Sequence, residues 1–480
     1  MKSKVWILGV LLQVALATTV SAQGWTNLGG FPTGKVVPAA SKNSPTNATP
    51  LWRQWNKPVY SPVDGGLLTF LANPACCGGV YTNAVYVYRV GSPTHWQMMF
   101  SHMTDGRGSH QTITAISRSN GTVTLTLASP LSLPSDPTLD IAIGITNVSD
   151  PSFNDTTPIL GTLIDPLHLS FQQTGLPNST PTCTPVGNCG LAWGAFSGPD
   201  APADGHQYHL KAWDSSRNLL WEGFGTQATC VNSAGVYGGD CGGSDFYQFN
   251  TQSGVGVFTQ ICGLFTTPCG PPRNQESTLV YDPVADVLIH VAGLYSSTAS
   301  AQTWEYVPST NTWTEICTDP GLHVAHPNPC PIPQLDAPGL VYDPDLGASV
   351  LFGGLLSNQK GKPLNTTTWL FSSSTGTWTQ ATTTANPPGV KFPVMDYVPG
   401  FGVVLIGYES GGAHVWAFEG DENWHDLGIT GGPNLAASPS FQSFGAFDQT
   451  AGLFIVFTKN PDVTIWSLQL PPPSASSHVP

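Results

Sequence analysis

One four-part unit recurs along this chain, and it limits the fold more than any other feature. The unit opens on a β-rich stretch that ends in an aromatic residue, often followed by Asp-Pro. A tight turn and a very apolar strand come next. A variable loop then leads to a strand carrying Trp or Tyr, and a second tight turn leads to a last strand often opened by Trp. The clearest copy is Leu279-Val-Tyr-Asp-Pro283, Val287-Leu-Ile-His-Val-Ala-Gly293, Thr303-Trp-Glu-Tyr306 and Asn311-Thr-Trp313. The next is Leu340-Val-Tyr-Asp-Pro344, Val350-Leu-Phe-Gly-Gly354, Thr368-Trp-Leu-Phe371 and Gly376-Thr-Trp378. Weaker copies follow over Met395–Trp424 and Gly445–Trp466, and two more lie upstream over Val59–Trp96 and Ala212–Phe258.

Units of four short strands cannot bury their apolar faces alone. Radial repetition buries both faces of each small sheet against its neighbours and leaves little open edge. The expected class is therefore all-β, a six-bladed β-propeller, or seven-bladed if one unit is missed; an array of β-sandwiches is the structural rival. The last unit stops after its third strand, near Leu470, while Gly24-Trp-Thr-Asn-Leu28 reads like a missing fourth strand. Closure of the ring by this N-terminal strand accounts for both.

The Tyr-Asp-Pro stretch, the apolar strand ending in Gly353-Gly354, and the spaced aromatics with Asn-Thr-Trp resemble kelch repeats. The resemblance is strong over residues 277–380 and degenerate elsewhere, and only Gly353-Gly354 keeps the paired glycines. It implies a kelch-type propeller of the galactose oxidase central-domain kind, as in secreted bacterial proteins. Copper-radical oxidases sharing that ring would imply a site of Tyr and His ligands with a Tyr–Cys cross-link, and no such motif can be placed here.

Residues 1–22 read as a signal peptide: Lys2 and Lys4, an apolar run from Val5 to Val20, then small residues before Gln23. Secretion or a periplasmic location follows, with no membrane insertion. The closing strand and first blade occupy 23–111, an inserted all-β module and linker 112–200, the remaining blades 201–470, and a Pro/Ser-rich disordered tail 471–480. The module is marked by alternation from Ile113 to Leu127 around an Asn120-Gly121 turn. It resembles small modules of bacterial surface and phage-tail proteins.

Removing Lys2 and Lys4 takes the formal net charge from −14 to −16, with no basic stripe. A nucleic-acid partner is not expected. The ten cysteines of an exported chain read as disulfides. They fall into neighbours, Cys183 with Cys189, Cys230 with Cys241, Cys262 with Cys269 and Cys317 with Cys330, each bracketing a short polar loop. The adjacent Cys76 and Cys77 leave three readings: a vicinal bond, two free thiols, or pairing elsewhere.

In a four-stranded meander, the first and last turns lie on one side of the disk. The second-to-third loops and the blade junctions lie on the other. Here the first set is terse, while the cysteines outside the module all belong to the second. Rigid, elaborated loops on one side of a scaffold usually carry function, so this side is the expected working face. Arg273, Asn274, Glu276, Asp336 and Lys391 enter first strands there and would converge from different blades, either as a binding site or to pair with one another and close the channel. His102, Asp105, Arg107 and His110, with His206, His209, Asp319, His323 and His326, offer imidazoles and carboxylates suited to a divalent metal, the only cofactor considered. Trp304, Trp313, Trp369, Trp378, Trp416 and Trp424 occupy repeat positions and are expected in the core, whereas Trp52, Trp55 and Trp193 do not.

The first expectation is a monomeric, non-catalytic module binding a glycan or another extracytoplasmic protein through the disulfide-braced face. An enzyme, metal-dependent or carbohydrate-active, with its site at the channel mouth is the alternative. A surface protein that makes contact through the module is a third.

Overall fold

The computed structural model describes residues 24–30, 57–71, 84–91, 96–100, 109–130, 140–146, 148–153, 159–165, 167–173, 175–182, 189–193, 205–206, 209–224, 226–227, 246–251, 257–262, 269–271, 276–295, 298–319, 328–356, 359–409, 412–433, 435, 443–459 and 463–472. Strands dominate them. The one helical element among the described residues is a 3-10 turn, Pro151–Phe153, and no helix there is long and apolar enough to cross a membrane.

Six four-stranded antiparallel sheets repeat along the chain. Their first strands are Val59–Ser61, Lys211–Asp214, Thr278–Asp282, Gly339–Asp343, Val394–Val398 and Phe444–Asp448. Five sheets are simple meanders in sequence order. The sixth takes its fourth strand from the other end of the chain: Gly24–Gly30 pairs with Val463–Gln469, Trp25 opposite Leu468 and Thr26 opposite Ser467. A free edge on Val463–Gln469 would invite pairing with another chain, and the N-terminal strand covers it.

The sheets form a propeller-like ring. Each first strand touches the next, and Phe444–Asp448 returns to touch Val59–Ser61. The apolar core is correspondingly divided into clusters between neighbouring sheets. Leu68 and Val87 meet Leu220 and Phe249 between the first two, and Leu67 and Tyr88 meet Phe444 and Phe457 between first and last. Clusters of the same kind fill the other four junctions.

Two positions of the repeat explain themselves in this ring. The Asp that ends the first strand folds its side chain over the following turn. The Oδ1 atoms of Asp214, Asp282, Asp343 and Asp448 each accept two backbone N–H groups of that turn, at 2.9–3.3 Å. These are Asx-turns, the reason Asp recurs there. The Trp that opens a fourth strand pins neighbouring sheets. Trp378 Nε1 donates to Thr303 Oγ1 (3.0 Å) and Trp424 Nε1 to Thr368 Oγ1 (2.8 Å), each in the preceding sheet.

The insertion folds as a closed six-stranded antiparallel barrel. Its strands are Ser109–Ser119, Thr122–Leu127, Asp140–Thr146, Ile159–Asp165, His168–Gln172 and Gly190–Trp193. The first begins three residues before position 112. Buried Arg118 organises its loops, donating to Pro177 O, Ser152 Oγ and Gln173 Oε1 and lying 4.3 Å over the Phe153 ring.

Candidate functional site

The ring has two unlike ends. At the end bearing the sheet-to-sheet junctions, three charged side chains from successive sheets meet. Lys391 Nζ lies 2.8 Å from Glu276 Oε2 and 2.9 Å from Asp336 Oδ2. Three of the five residues singled out for a binding site therefore converge, while Arg273 and Asn274 lie outside the described residues.

Backbone geometry holds this triad. Glu276, Ala337 and Phe392 sit at matching places two residues before their first strands, and all have left-handed φ of 55–59°. Such residues strain an L-amino-acid backbone. The three are linked across sheets: Ala337 N donates to Glu276 O (2.9 Å) and Phe392 N to Ala337 O (3.1 Å). The Gly353-Gly354 pair braces the other side. Gly354 N donates to Val390 O (2.8 Å), and Leu355 and Asp336 exchange backbone bonds at 2.8 and 3.0 Å. A Cβ on Gly353, at φ +74°, would stand 2.5 Å from Val390 O, so only glycine fits.

The electrostatics are those of two carboxyls competing for one cation. Burial, then a hydrogen bond and repulsion from Glu276, push the Asp336 carboxyl up to about 7 against the pull of Lys391. Burial works against the Lys391 charge, but Glu276 and Asp336 outweigh it and hold the ammonium above its ordinary range. Near neutrality the group can hold one proton between two carboxyls beside an ammonium.

The same end is stapled. Cys262–Cys269 and Cys317–Cys330 each join the end of a fourth strand to the approach of the next first strand, as the spacing predicts. Cys189 is also disulfide-bonded. Its expected partner Cys183 lies outside the described residues, as do Cys76, Cys77, Cys230 and Cys241.

The expected metal residues do not come together among the described residues, where no group of three or more His, Cys, Asp or Glu could hold an ion. His102, Asp105, Arg107, His323 and His326 lie outside those residues, and the side chains of His110, His206 and Trp193 are not described. Trp52 and Trp55 also lie outside. Asp319 is buried and accepts from Gln334 Nε2. His209 points inward instead. It is 4% exposed, its Nδ1 lies 3.1 Å from Pro338 O, and its ring meets Phe392 and Phe444 edge-on. Burial, with Lys57 next, pushes its pKa down to about 3.

A cavity of about 360 Å³ lies among the first strands, lined by residues of all six sheets. The exposed turn residues Pro62, Ser215, Pro283, Pro344 and Gln449 form its mouth, on the terse-hairpin side. Tyr60, Trp213, Tyr281, Tyr342, Tyr397 and Phe447 form an aromatic collar just inside. Tyrosine hydroxyls of the collar reach back to the preceding sheet: Tyr60 to Thr450 (2.8 Å), Tyr281 to Ser216 (2.7 Å) and Tyr397 to Asp345 (3.0 Å). In the sequence these aromatics are visible only as the residues that close the first part of each repeat. Their signal was their fixed place, next to last or so in every first strand.

No family model matches the sequence, and no curated protein matches it. Among solved structures, one titled "Structure of YjhT" is 14% identical, over 54% of this chain and 73% of that chain, with a TM-score of 0.35. That likeness is weak and carries no argument about the site.

Proposed function

We propose that the chain is a six-bladed kelch-type β-propeller, exported from the cytoplasm, that binds a glycan or another extracytoplasmic protein through its disulfide-braced end. The disulfides are compatible with an oxidising compartment. The observation that supports this reading best is Lys391 bridging Glu276 and Asp336 from three sheets. Each sugar hydroxyl both donates and accepts, so a fixed array of ammonium and carboxyl groups meets it on both counts. The staples reduce the entropy lost on ordering such loops. Glycan-array binding by wild type, Lys391→Met and Asp336→Asn tests it: a common ligand should weaken at least about ten-fold in both variants, a loss of about 1.4 kcal/mol. Ligand binding undisturbed by both would contradict it.

A second reading, a carbohydrate-active enzyme, is favoured by the Asp336 carboxyl at about 7 beside Glu276. A neutral acid at working pH beside a carboxylate is the arrangement that proton transfer to a leaving oxygen needs. Product release from oligosaccharides, with an alkaline limb near pH 7 that Asp336→Asn abolishes, would mark it.

A further inference from the structure

The axial cavity is separate from the loop-side triad and opens at the opposite end of the ring. Its inner end is cationic. Lys57 and Lys211 line it. Lys211 is fully buried and lies 3.6 Å from Glu222, equally buried. Lys57 takes part in none of the ion pairs found among the described residues. The neighbouring His209 is neutral, since burial and the two ammonium groups disfavour its charge. Beyond the Lys211–Glu222 pair, Lys57 brings a further ammonium to this end. Among the described residues, Asp396 is the one acid lining the cavity, and it is engaged: its Oδ2 accepts from Phe447 N (2.9 Å) and its Oδ1 from Tyr397 N (3.0 Å).

The walls between are apolar, with Val59, Ala212, Leu279, Val280, Leu340 and Val341 contributing. Tyr60, Trp213 and Tyr397 of the collar are only half-buried and keep ring surface available. The volume sits at the small end of the range for ligand pockets, roughly 300–1,000 Å³. A hydrocarbon occupant would strip water from Lys57 and leave it unpaired. A cation would meet the Lys57 ammonium at the inner end. A molecule with a flat ring and one carboxylate pairs the charge at the bottom and stacks at the collar.

We propose that this cavity is a binding site for a small ring-bearing monocarboxylate, entered from the hairpin side. Benzoate, benzamide and benzylamine share one shape and differ in charge, so they isolate the claim. Ligand-observed NMR and calorimetry on the mature protein should show benzoate binding with Kd in the millimolar range or tighter, about −4 kcal/mol. Benzamide should bind at least about five-fold more weakly, and benzylamine more weakly still, about 1 kcal/mol or more. Lys57→Met should abolish the preference for benzoate, and Ser215→Trp, a substitution on an exposed turn at the mouth, should weaken benzoate and benzamide together. Lys360→Met, an exposed lysine on the loop side, should bind benzoate as wild type does. Equal affinity for benzoate and benzamide, benzoate binding untouched by Lys57→Met, an equal loss in Lys360→Met, or no binding of benzoate would each overturn the proposal.

Discussion

Lys391 stands where three sheets meet, and most of what can be tested at the level of single residues passes through it. Replacing it with Met leaves Glu276 and Asp336 facing each other without a cation. Breaking a fully buried pair costs about 3–5 kcal/mol. The Lys391 side chain is 23% exposed, so a loss of roughly 2 kcal/mol is expected in urea unfolding. Asp336 supplies a signed pH effect. Its folded pKa, about 7, lies above the ordinary 3.8, so the folded state holds a proton that the unfolded state gives up. The associated stability is fully present below about pH 4 and is lost as pH rises through about 7. Asp336→Asn keeps an uncharged group throughout. Between about pH 5 and pH 8 the variant should gain on wild type by on the order of 2 kcal/mol, read as the difference between two Tm-against-pH curves; parallel curves would contradict it. The convergence of Glu276, Asp336 and Lys391 was legible because each enters a first strand, and first strands surround an axis. The inward turn of His209 was not, because a His near another His looks the same on paper whether it faces solvent or a phenyl ring.

The fourth strands share a device that the repeat pattern hides. In five of the six sheets the register slips once between the last two strands, at Val85/Tyr86, Phe246/Tyr247, Thr303/Trp304, His414/Trp416 and, on the N-terminal strand, Asn27/Gly29. Such bulges bend and twist a strand. Cys262 and Cys317 sit just beyond their bulges, opposite Phe246 and Thr303, where the chain turns toward the next sheet. The spacing of cysteines in sequence exposed these two staples; it could not expose the bulges, since one extra residue in a strand leaves no composition signal. Replacing Cys317 and Cys330 together by Ser should cost about 2–3 kcal/mol, mostly through a freer unfolded chain, measured by denaturant unfolding. The first hairpins make the converse case. The Asp before the turn is visible in the repeat, and Asp282→Ala should lose about 1 kcal/mol by orphaning the N–H groups of Val284 and Ala285.

For the whole molecule, the all-β class and its four-stranded antiparallel units were legible because each strand type kept its own residues, an Asp at one turn and a Trp at another. The barrel was legible only as alternating segments: its closure depends on Gly190–Trp193 bridging Ser109–Ser119 and Asp140–Thr146, pairings between segments far apart in the chain. The axial cavity is not legible in the sequence for a similar reason, since no stretch contributes more than a few of its residues and only ring closure assembles them. Gly24–Gly30 completes the sixth sheet and so ties the two ends of the chain together, while the first and sixth sheets also meet directly, Tyr60 lying 2.8 Å from Thr450, 390 residues away. A chain carrying Thr26→Cys and Ser467→Cys tests this most directly, because the two residues are opposite each other in the closing pair and antiparallel neighbours come within disulfide reach. After mild oxidation and proteolysis, mass spectrometry should find the peptide containing residue 26 joined to the one containing residue 467, at the stoichiometry of the folded protein. Both new thiols remaining free to alkylation in the folded chain would mean that the ring is not closed this way, and the cavity and the triad above it would lose their frame.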